Sequence, residues 1–272
     1  MARLVLFNEI FGARCRILSL FVFCVLVVCA TQQSSATALH ARADSVIIEK
    51  KRIVLIRSPE IAKQFPERKR AIVNYPVITG LQNSLALNKI RSAIRLKNIF
   101  DTSLAEYKED AWLTSFDYTI NYNKNFVLDL TFKQEGVGAY PDEQSKNFVF
   151  NLKSGEVINA KDVFKQTSLG QLTKIVNDKL QAEVRRIIKE IEQTSEFSAE
   201  EKKQLPEAFK EAKFKVSNLN DFSVGDKGVT FLYDAGFPHV IKVLQPEGRY
   251  LFRYSELAPY IKPNGLLAKF VK

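Results

Sequence analysis

The chain has 272 residues, of which 46 % are hydrophobic and 11 % aromatic, and its formal net charge is +10. This composition excludes an intrinsically disordered chain, and the length is sufficient for one large domain or two small ones with a packed core. With only two histidines, a histidine-based metal cluster is excluded as well.

The N-terminal residues follow the order of a secretory signal peptide. Arginines precede an apolar run from Ile17 to Ala30, and a short polar stretch then ends in Ala36-Thr37-Ala38. A charged head, an apolar middle and an A-x-A exit predict that residues 1–38 are a signal peptide. The run has 14 residues, whereas a helix needs about 20 to span a bilayer. We therefore expect no stable membrane span after processing; a retained signal anchor is the alternative.

Cysteine usage supports the prediction of export. All three cysteines lie inside the segment that we expect to be removed: Cys15, Cys24 and Cys29. The mature chain would then have no disulfide, no catalytic thiolate and no Cys-ligated metal. Val28 precedes Cys29 where lipoprotein processing requires a small residue, so lipidation is disfavoured. We expect a periplasmic or extracellular protein whose positive charge suits anionic envelope material better than nucleic acid.

The mature chain divides into a strand-rich part, residues 39–158, and a second part of the same domain, residues 159–272. Period-two apolar patterns predict strands in the first part. The clearest is a hairpin, in which Trp112 to Tyr122 leads into a turn at Asn123–Asn125 and Phe126 to Lys133 runs back. Helical spacing predicts a helix from Leu81 to Phe100.

The second part opens with a long helix near 168–192, because apolar residues recur every three or four positions from Leu169 to Ile191. Ser198 and Glu201 form a capping box that predicts a short helix. Strands are predicted further along, at Phe214–Val216, Phe222–Val224, Val229–Leu232, Val240–Leu244 and Arg249–Arg253. Successive strand, helix and strand blocks predict an α+β fold, with helices packed on an antiparallel sheet.

Catalytic motifs are absent from the sequence. It has no G-x-S-x-G elbow, no H-E-x-x-H helix and no glycine-rich phosphate loop. His40 lies just after the predicted cleavage site, which leaves His239 as the only histidine within the fold. We therefore assign no catalytic, cofactor-binding or metal-binding residue. An envelope hydrolase that uses a carboxylate pair remains the alternative, although no Asp or Glu pair is singled out by its context.

Aromatic residues and arginines alternate near the C-terminus, a composition that is enriched at recognition surfaces. The candidate binding surface comprises Tyr233, Phe237, His239, Arg249, Arg253 and Tyr260. A competing interpretation is that the aromatic residues fill the core. By period two, Tyr250, Phe252 and Tyr254 share one strand face that we expect to be buried, with the two arginines facing the other way.

Several segments resemble the RsiV-type extracytoplasmic domain family. The resemblance covers residues 45–267 and is carried by Tyr75–Ile78, Phe148–Phe164, Gly228–Phe231, Tyr233–Pro238 and the closing aromatic strand Tyr250–Leu257. It implies a non-catalytic bacterial envelope module without a cofactor. One member of this family is an anti-sigma factor that senses lysozyme by binding it, and related domains accompany some peptidoglycan deacetylases.

Two departures from that family shape the expected function. An anti-sigma factor needs a cytoplasmic domain, whereas about 16 residues precede the apolar run, and no deacetylase module follows the resemblance. The sequence therefore predicts an outer domain that is exported alone. By the resemblance, its partner would be a lysozyme-like protein or a cell-wall glycan such as peptidoglycan, and no lysozyme-contacting position can be matched residue by residue.

Overall fold

A computed structural model of the chain describes residues 44–195, 197, 198, 200, 202, 207 and 209–271, without the side chains of His239 and Val240. The predicted signal peptide, its cysteines, His40 and the capping residue Glu201 lie outside the described residues. The first half of the described chain contains five strands and the helices that connect them. In chain order these are β1 (Ile47–Ile56), α1 (Pro59–Gln64), β2 (Arg70–Thr79), α2 (Ser84–Ala93), α3 (Leu96–Phe100), α4 (Leu104–Lys108), β3 (Leu113–Lys124), β4 (Val127–Val137) and β5 (Pro141–Asn151).

The predicted hairpin is present as β3 and β4, but its turn lies two residues later than the sequence indicates. Asn125 and Phe126 occupy the turn with φ of 57° and 59°, the left-handed backbone of a tight two-residue hairpin. Asn123 is still in the strand, where its side-chain oxygen accepts the Val46 N–H at 3.0 Å. This contact between residues that are distant in the sequence keeps Asn123 in the strand, so the turn falls at Asn125 and Phe126.

The five strands form one sheet in the order β1-β2-β3-β4-β5, and all neighbours are antiparallel except β2 and β3. These two strands run parallel and pair only at Ile72 with Ser115 and Val73 with Phe116. Helices α2 to α4 provide the crossover that a parallel pair requires. They bury one face of the sheet in a hydrophobic cluster that includes Ile90, Ile94, Phe116 and Phe132.

The predicted helix from Leu81 to Phe100 is two helices, because the chain breaks at Arg95, whose ψ is 140°. In an unbroken helix Ile99 would lie about 140° around the axis from Ile94. The break turns Ile99 toward the same core, and both side chains are buried.

The second half contains a long helix over a small sheet. Its elements are α5 (Ala160–Val163), α6 (Leu169–Gln193), β6 (Phe222–Val224), β7 (Gly228–Leu232), β8 (Arg249–Arg253) and α7 (Tyr254–Leu257). Strands β6, β7 and β8 form an antiparallel sheet. The apolar stripe of α6 is buried along its length, which confirms the predicted long amphipathic helix. Its side chains share a second core with Phe164, Phe231 and Phe252.

Two predicted strands in this half are wrong. Val240 to Leu244 belongs to a 3₁₀ helix, His239–Leu244, whose period of three places Ile241 and Leu244 against the core. Phe214 does not start a strand, because its buried ring enters the core while its N–H donates to Asn177 Oδ1 at 3.0 Å. The alternation in β8 is confirmed, since Tyr250 and Phe252 are buried between exposed neighbours.

The α+β class predicted from the sequence is confirmed, with antiparallel-rich sheets and packed helices. Among the described residues, no helix has both the length and the apolar composition that crossing a bilayer requires.

A buried polar cluster joins the two sheets. Asp129 of β4 is fully buried, and its carboxylate accepts hydrogen bonds from Ser223 Oγ at 2.7 Å, from the Val224 N–H and from Asn121 Nδ2 at 2.9 Å. Beside it, Asn147 Nδ2 donates to the Phe222 carbonyl at 2.7 Å. Side chains of the large sheet therefore provide hydrogen-bond partners for backbone N–H and C=O groups of β6, which is an edge strand of the small sheet.

Candidate functional site

An open groove of 470 Å³ lies where three distant segments of the chain meet at one end of the large sheet. Its volume is within the range of small-ligand sites. The lining combines aromatic, aliphatic and charged side chains: Ile61, Phe65, Arg68, Glu109, Asp110, Ala111, Trp112, Val137 and Gly138.

The groove exists because Val137, at the end of β4, binds both of the other segments. Its N–H donates to the Trp112 carbonyl at 2.8 Å, and its own carbonyl accepts from Arg68 Nη1 at 2.6 Å. Arg68 also places its guanidinium carbon 5.5 Å from the Phe65 ring centroid. The connection between β1 and β2 is thereby held against the sheet.

Trp112, the single tryptophan of the chain, forms one wall of the groove. The ring-fusion atoms of its indole lie so close over Gly136 that a β-carbon there would overlap them. One face of the indole is therefore covered by the backbone at Gly136, and the side chain is half-buried against the hydrophobic cluster of the large sheet.

The lining of the groove carries two carboxylates and one guanidinium. Glu109 and Asp110 are exposed carboxylates at the end of α4, and Asp110 Oδ1 accepts the Trp112 backbone N–H at 2.9 Å. Arg68 also lines the groove, and its guanidinium lies 3.4 Å from Glu67 Oε1. The buried Arg57 lies near enough to interact with Asp110. Burial lowers the pKa of Arg57, and the Asp110 charge offsets part of this change.

Arg57 also fixes the wall that carries Trp112. It is 4 % exposed, and its two terminal nitrogens donate to the carbonyls of Tyr107 and Leu113. These carbonyls flank the segment that contains both carboxylates and the indole. A single guanidinium therefore sets the spacing between the end of α4 and the start of β3.

The contact between Trp112 and Gly136 gives a direct test of the groove. We expect Gly136→Ala to displace the indole, to shift its fluorescence emission and to lower the free energy of unfolding by about 1–3 kcal/mol. Gly138→Ala is the matched control, because a β-carbon there would lie at an ordinary 3.8 Å from indole Cδ1. Equal emission spectra and equal denaturation midpoints for the two variants would contradict this geometry.

The residues predicted from the sequence as a binding surface lie elsewhere. Phe237 is buried with its ring 5.0 Å from that of Phe209, and Tyr233 is half-buried with its hydroxyl accepting the Lys213 N–H at 3.0 Å. Tyr260 is half-buried against the second core.

Two of the six predicted residues are exposed. Arg249 and Arg253 lie on the outward face of β8, on either side of the exposed Leu251. His239 starts the 3₁₀ helix, and its side chain lies outside the described part of the structure. Arg249 is close to Tyr233 in the sheet, since Tyr233 N–H donates to the Gly248 carbonyl at 2.8 Å. A binding role for the six residues stays a prediction.

The groove itself was missed at the level of sequence. Trp112 is predicted only as the first residue of the hairpin strand, and no binding role is predicted for Arg68. The available signal was the combination of the only tryptophan with an acidic pair just before it.

Within the part of the chain that the structure describes, burial raises the pKa of two carboxylates, Asp129 and Asp221. At Asp129, hydrogen bonds from Asn121, Val224 and Ser223 offset only part of this effect. Asp129 has no exposed surface, so a substrate would reach it only if the two sheets separated. Within the described residues, no cluster of three or more His, Cys, Asp or Glu side chains is arranged to hold a metal ion.

Comparison with solved structures gives matches at the level of the fold. A DUF3298 family protein from Pseudomonas aeruginosa is 13 % identical with a TM-score of 0.51, over 81 % of this chain and 95 % of that one. A member of the DUF3298 family from Bacteroides fragilis is 11 % identical with a TM-score of 0.52, over 84 % of this chain and 97 % of that one. DUF3298 denotes a domain of unknown function. No protein-family model and no curated protein matches the sequence.

Proposed function

We propose that this chain is an exported, non-catalytic binding module of the bacterial envelope, related to the RsiV-type outer domains. Its ligand would be a lysozyme-like protein or a cell-wall glycan. The observation that carries the proposal is the groove, in which a tryptophan held by Gly136 and Arg57 stands beside two exposed carboxylates and Arg68. Tryptophan and arginine are the residue types most enriched at binding hot spots.

Two further observations support this function. The fold is similar to that of DUF3298 family proteins along nearly their whole length. The N-terminal 38 residues have the order of a signal peptide. A module outside the cytoplasm would meet both candidate ligands, and its positive charge would favour the anionic wall.

A pull-down with the native protein tests the proposal. We expect the purified protein to begin at Leu39 by mass spectrometry, and to be retained saturably by immobilised lysozyme or by insoluble peptidoglycan across a salt series. Retention that survives moderate salt indicates specific recognition, because salt screens exposed charges beyond about 10 Å. Retention by neither ligand would contradict the proposal, and release of soluble sugar from peptidoglycan would contradict its non-catalytic part.

A further inference from the structure

We propose that the free edge of β1 is a docking site for an extended acidic segment of another protein, which adds to the large sheet as a sixth strand. Addition of a strand to an exposed sheet edge is a general mode of peptide recognition. The site is separate from the groove, and the inference does not depend on the function proposed above. It is carried by the backbone, the charges and the apolar side chains along β1.

The pairing of β1 with β2 determines which backbone groups reach the free edge. The N–H of Arg57 donates to the Lys69 carbonyl at 3.1 Å, and these two residues continue the register in which Lys50 faces Pro76. Hydrogen-bonded and non-hydrogen-bonded pairs alternate along an antiparallel ladder. The odd-numbered residues of β1 therefore bond to β2, and the even-numbered ones direct their N–H and C=O groups outward. Pro76, which has no N–H, falls in a non-hydrogen-bonded pair, as this alternation requires.

The edge is open along the middle of β1. Among the described residues, no other element and no side chain hydrogen-bonds the outward groups of the even-numbered residues from Ile48 to Val54. The opposite edge of the sheet differs, because the chain returns along β5 and the Ile158 N–H donates to the Val149 carbonyl at 2.7 Å. A row of unpaired donors and acceptors is a template for a further strand.

The charges along this edge are mostly positive. Three basic residues, Lys50, Lys51 and Arg52, lie at the centre of β1 beside a single acid, Glu49. Lys50 forms an ion pair with Asp117 at 2.9 Å. Lys51 and Arg52 are exposed, and in the part of the chain that the structure describes neither forms an ion pair. Acidic residues opposite these two side chains would be attracted to both.

The same charges disfavour a second copy of this chain as the occupant. When two identical strands pair about a two-fold axis, the centre of each strand lies opposite the centre of the other. Lys51 and Arg52 would then face their own counterparts, and like charges in opposite positions destabilise a strand pair. Basic residues on edge strands prevent pairing between copies in this way. An acidic strand turns the repulsion into attraction.

Apolar side chains flank the basic centre of β1 on both sides. Ile47, Val54 and Ile56 are all exposed, the last to 61 %. Consecutive side chains of a strand point to opposite faces, so Lys51 and Arg52 require acids at two adjacent positions of the partner. The complementary segment therefore has two adjacent acids between stretches of β-branched residues.

Synthetic peptides test the site. We expect the peptide VTVTEETVT, labelled with fluorescein and amidated, to bind the native protein saturably in fluorescence anisotropy. VTVTKKTVT should bind at least fivefold more weakly, because its charges are reversed. VPVPEEPVP keeps the acids, but its prolines cannot complete a ladder, so it should also bind at least fivefold more weakly. A flat titration with VTVTEETVT, or equal affinity for VPVPEEPVP, would overturn the inference.

One pair of variants tests the charges. Lys51→Gln together with Arg52→Gln should weaken the binding of VTVTEETVT at least fivefold without a change in the urea midpoint. Lys161→Gln together with Lys227→Gln is the matched control, because it removes the same charge from exposed positions in the second half of the chain. This control should bind as the native protein does. Equal affinity in the two double variants would overturn the inference.

A second pair of variants tests the backbone. Val54→Pro removes one outward N–H and keeps every basic residue, so it should weaken the binding of VTVTEETVT at least fivefold. An edge strand tolerates proline where the nitrogen faces solvent, and we expect a similar urea midpoint. Val54→Thr keeps the N–H and should bind as the native protein does. Native affinity in a folded Val54→Pro variant would overturn the inference, and the glutamine double variant decides alone if the proline variant is unfolded.

Sedimentation checks the choice of occupant. We expect the native protein and Val54→Pro to sediment with the same mass across a concentration series. A native dimer that Val54→Pro converts to a monomer would show that a second copy occupies the edge, and would overturn the inference.

Discussion

Replacing Asp129 with alanine is expected to lower the free energy of unfolding by about 3 kcal/mol, because buried donors are left without an acceptor. Ser223 Oγ, the Val224 N–H and Asn121 Nδ2 all donate to this carboxylate. The loss would appear in urea unfolding curves as a lower midpoint with an unchanged slope. Ser223→Ala is the matched control, since it removes one donor and leaves the acceptor, and its loss should be about 1 kcal/mol.

Asp129→Asn removes the titrating proton and one of the two acceptor oxygens, so its diagnostic effect is on the pH dependence of stability. Burial raises the pKa of Asp129 in the folded state, so the folded protein binds this proton more tightly than the unfolded chain does. The corresponding stability is fully present below the unfolded pKa and is lost as pH rises through the folded pKa. The asparagine variant lacks this loss. Its free energy of unfolding should therefore rise relative to that of the native protein as pH increases from the unfolded to the folded pKa of Asp129. Parallel stability curves across acidic pH would contradict this prediction.

The second large effect is expected at Arg57. We expect Arg57→Met, which keeps the length of the side chain and removes the guanidinium, to lower the free energy of unfolding by about 3 kcal/mol. The carbonyls of Tyr107 and Leu113 would lose their donors in a buried environment. Because these carbonyls flank the groove wall, the Trp112 emission should shift toward that of a more exposed indole.

Two control variants make the Arg57 result specific. Arg57→Lys keeps the charge but lacks the planar fork that reaches two carbonyls, so it should recover only part of the stability and of the native emission. Arg52→Met, at an exposed position of β1, the strand that precedes Arg57, should change the free energy of unfolding by no more than about 0.5 kcal/mol. A loss at Arg52 equal to that at Arg57 would show that guanidinium burial is not the cause.

Elements that depend on local pattern were predictable from the sequence. The stripe of α6 repeats over many turns, so its buried face could be identified from spacing alone. The β3–β4 hairpin and the buried face of β8 follow from alternation in the same way. The α+β class then follows from the order of these blocks.

Features that depend on distant partners were not predictable. Asp129 alternates with apolar neighbours in β4 and so reads as a solvent-facing residue, since nothing local indicates that β6 will cover it. The 3₁₀ helix at His239–Leu244 has the composition of a strand, and only its packing on the core selects the other conformation. The groove has no local pattern either, because Phe65, Trp112 and Val137 come from separate segments.

This origin of the groove couples recognition to folding. Its walls come together only after β1 to β4 have assembled, across a parallel pair of only two residues per strand. Assembling these strands closes long loops and brings together residues that are far apart in the sequence. Such contacts form slowly and cooperatively. A ligand that binds the groove therefore binds the folded sheet and not the unfolded chain. By mass action, at a ligand concentration 100 times the Kd, the sheet gains about 2.7 kcal/mol of stability, so occupancy and resistance to proteolysis rise together.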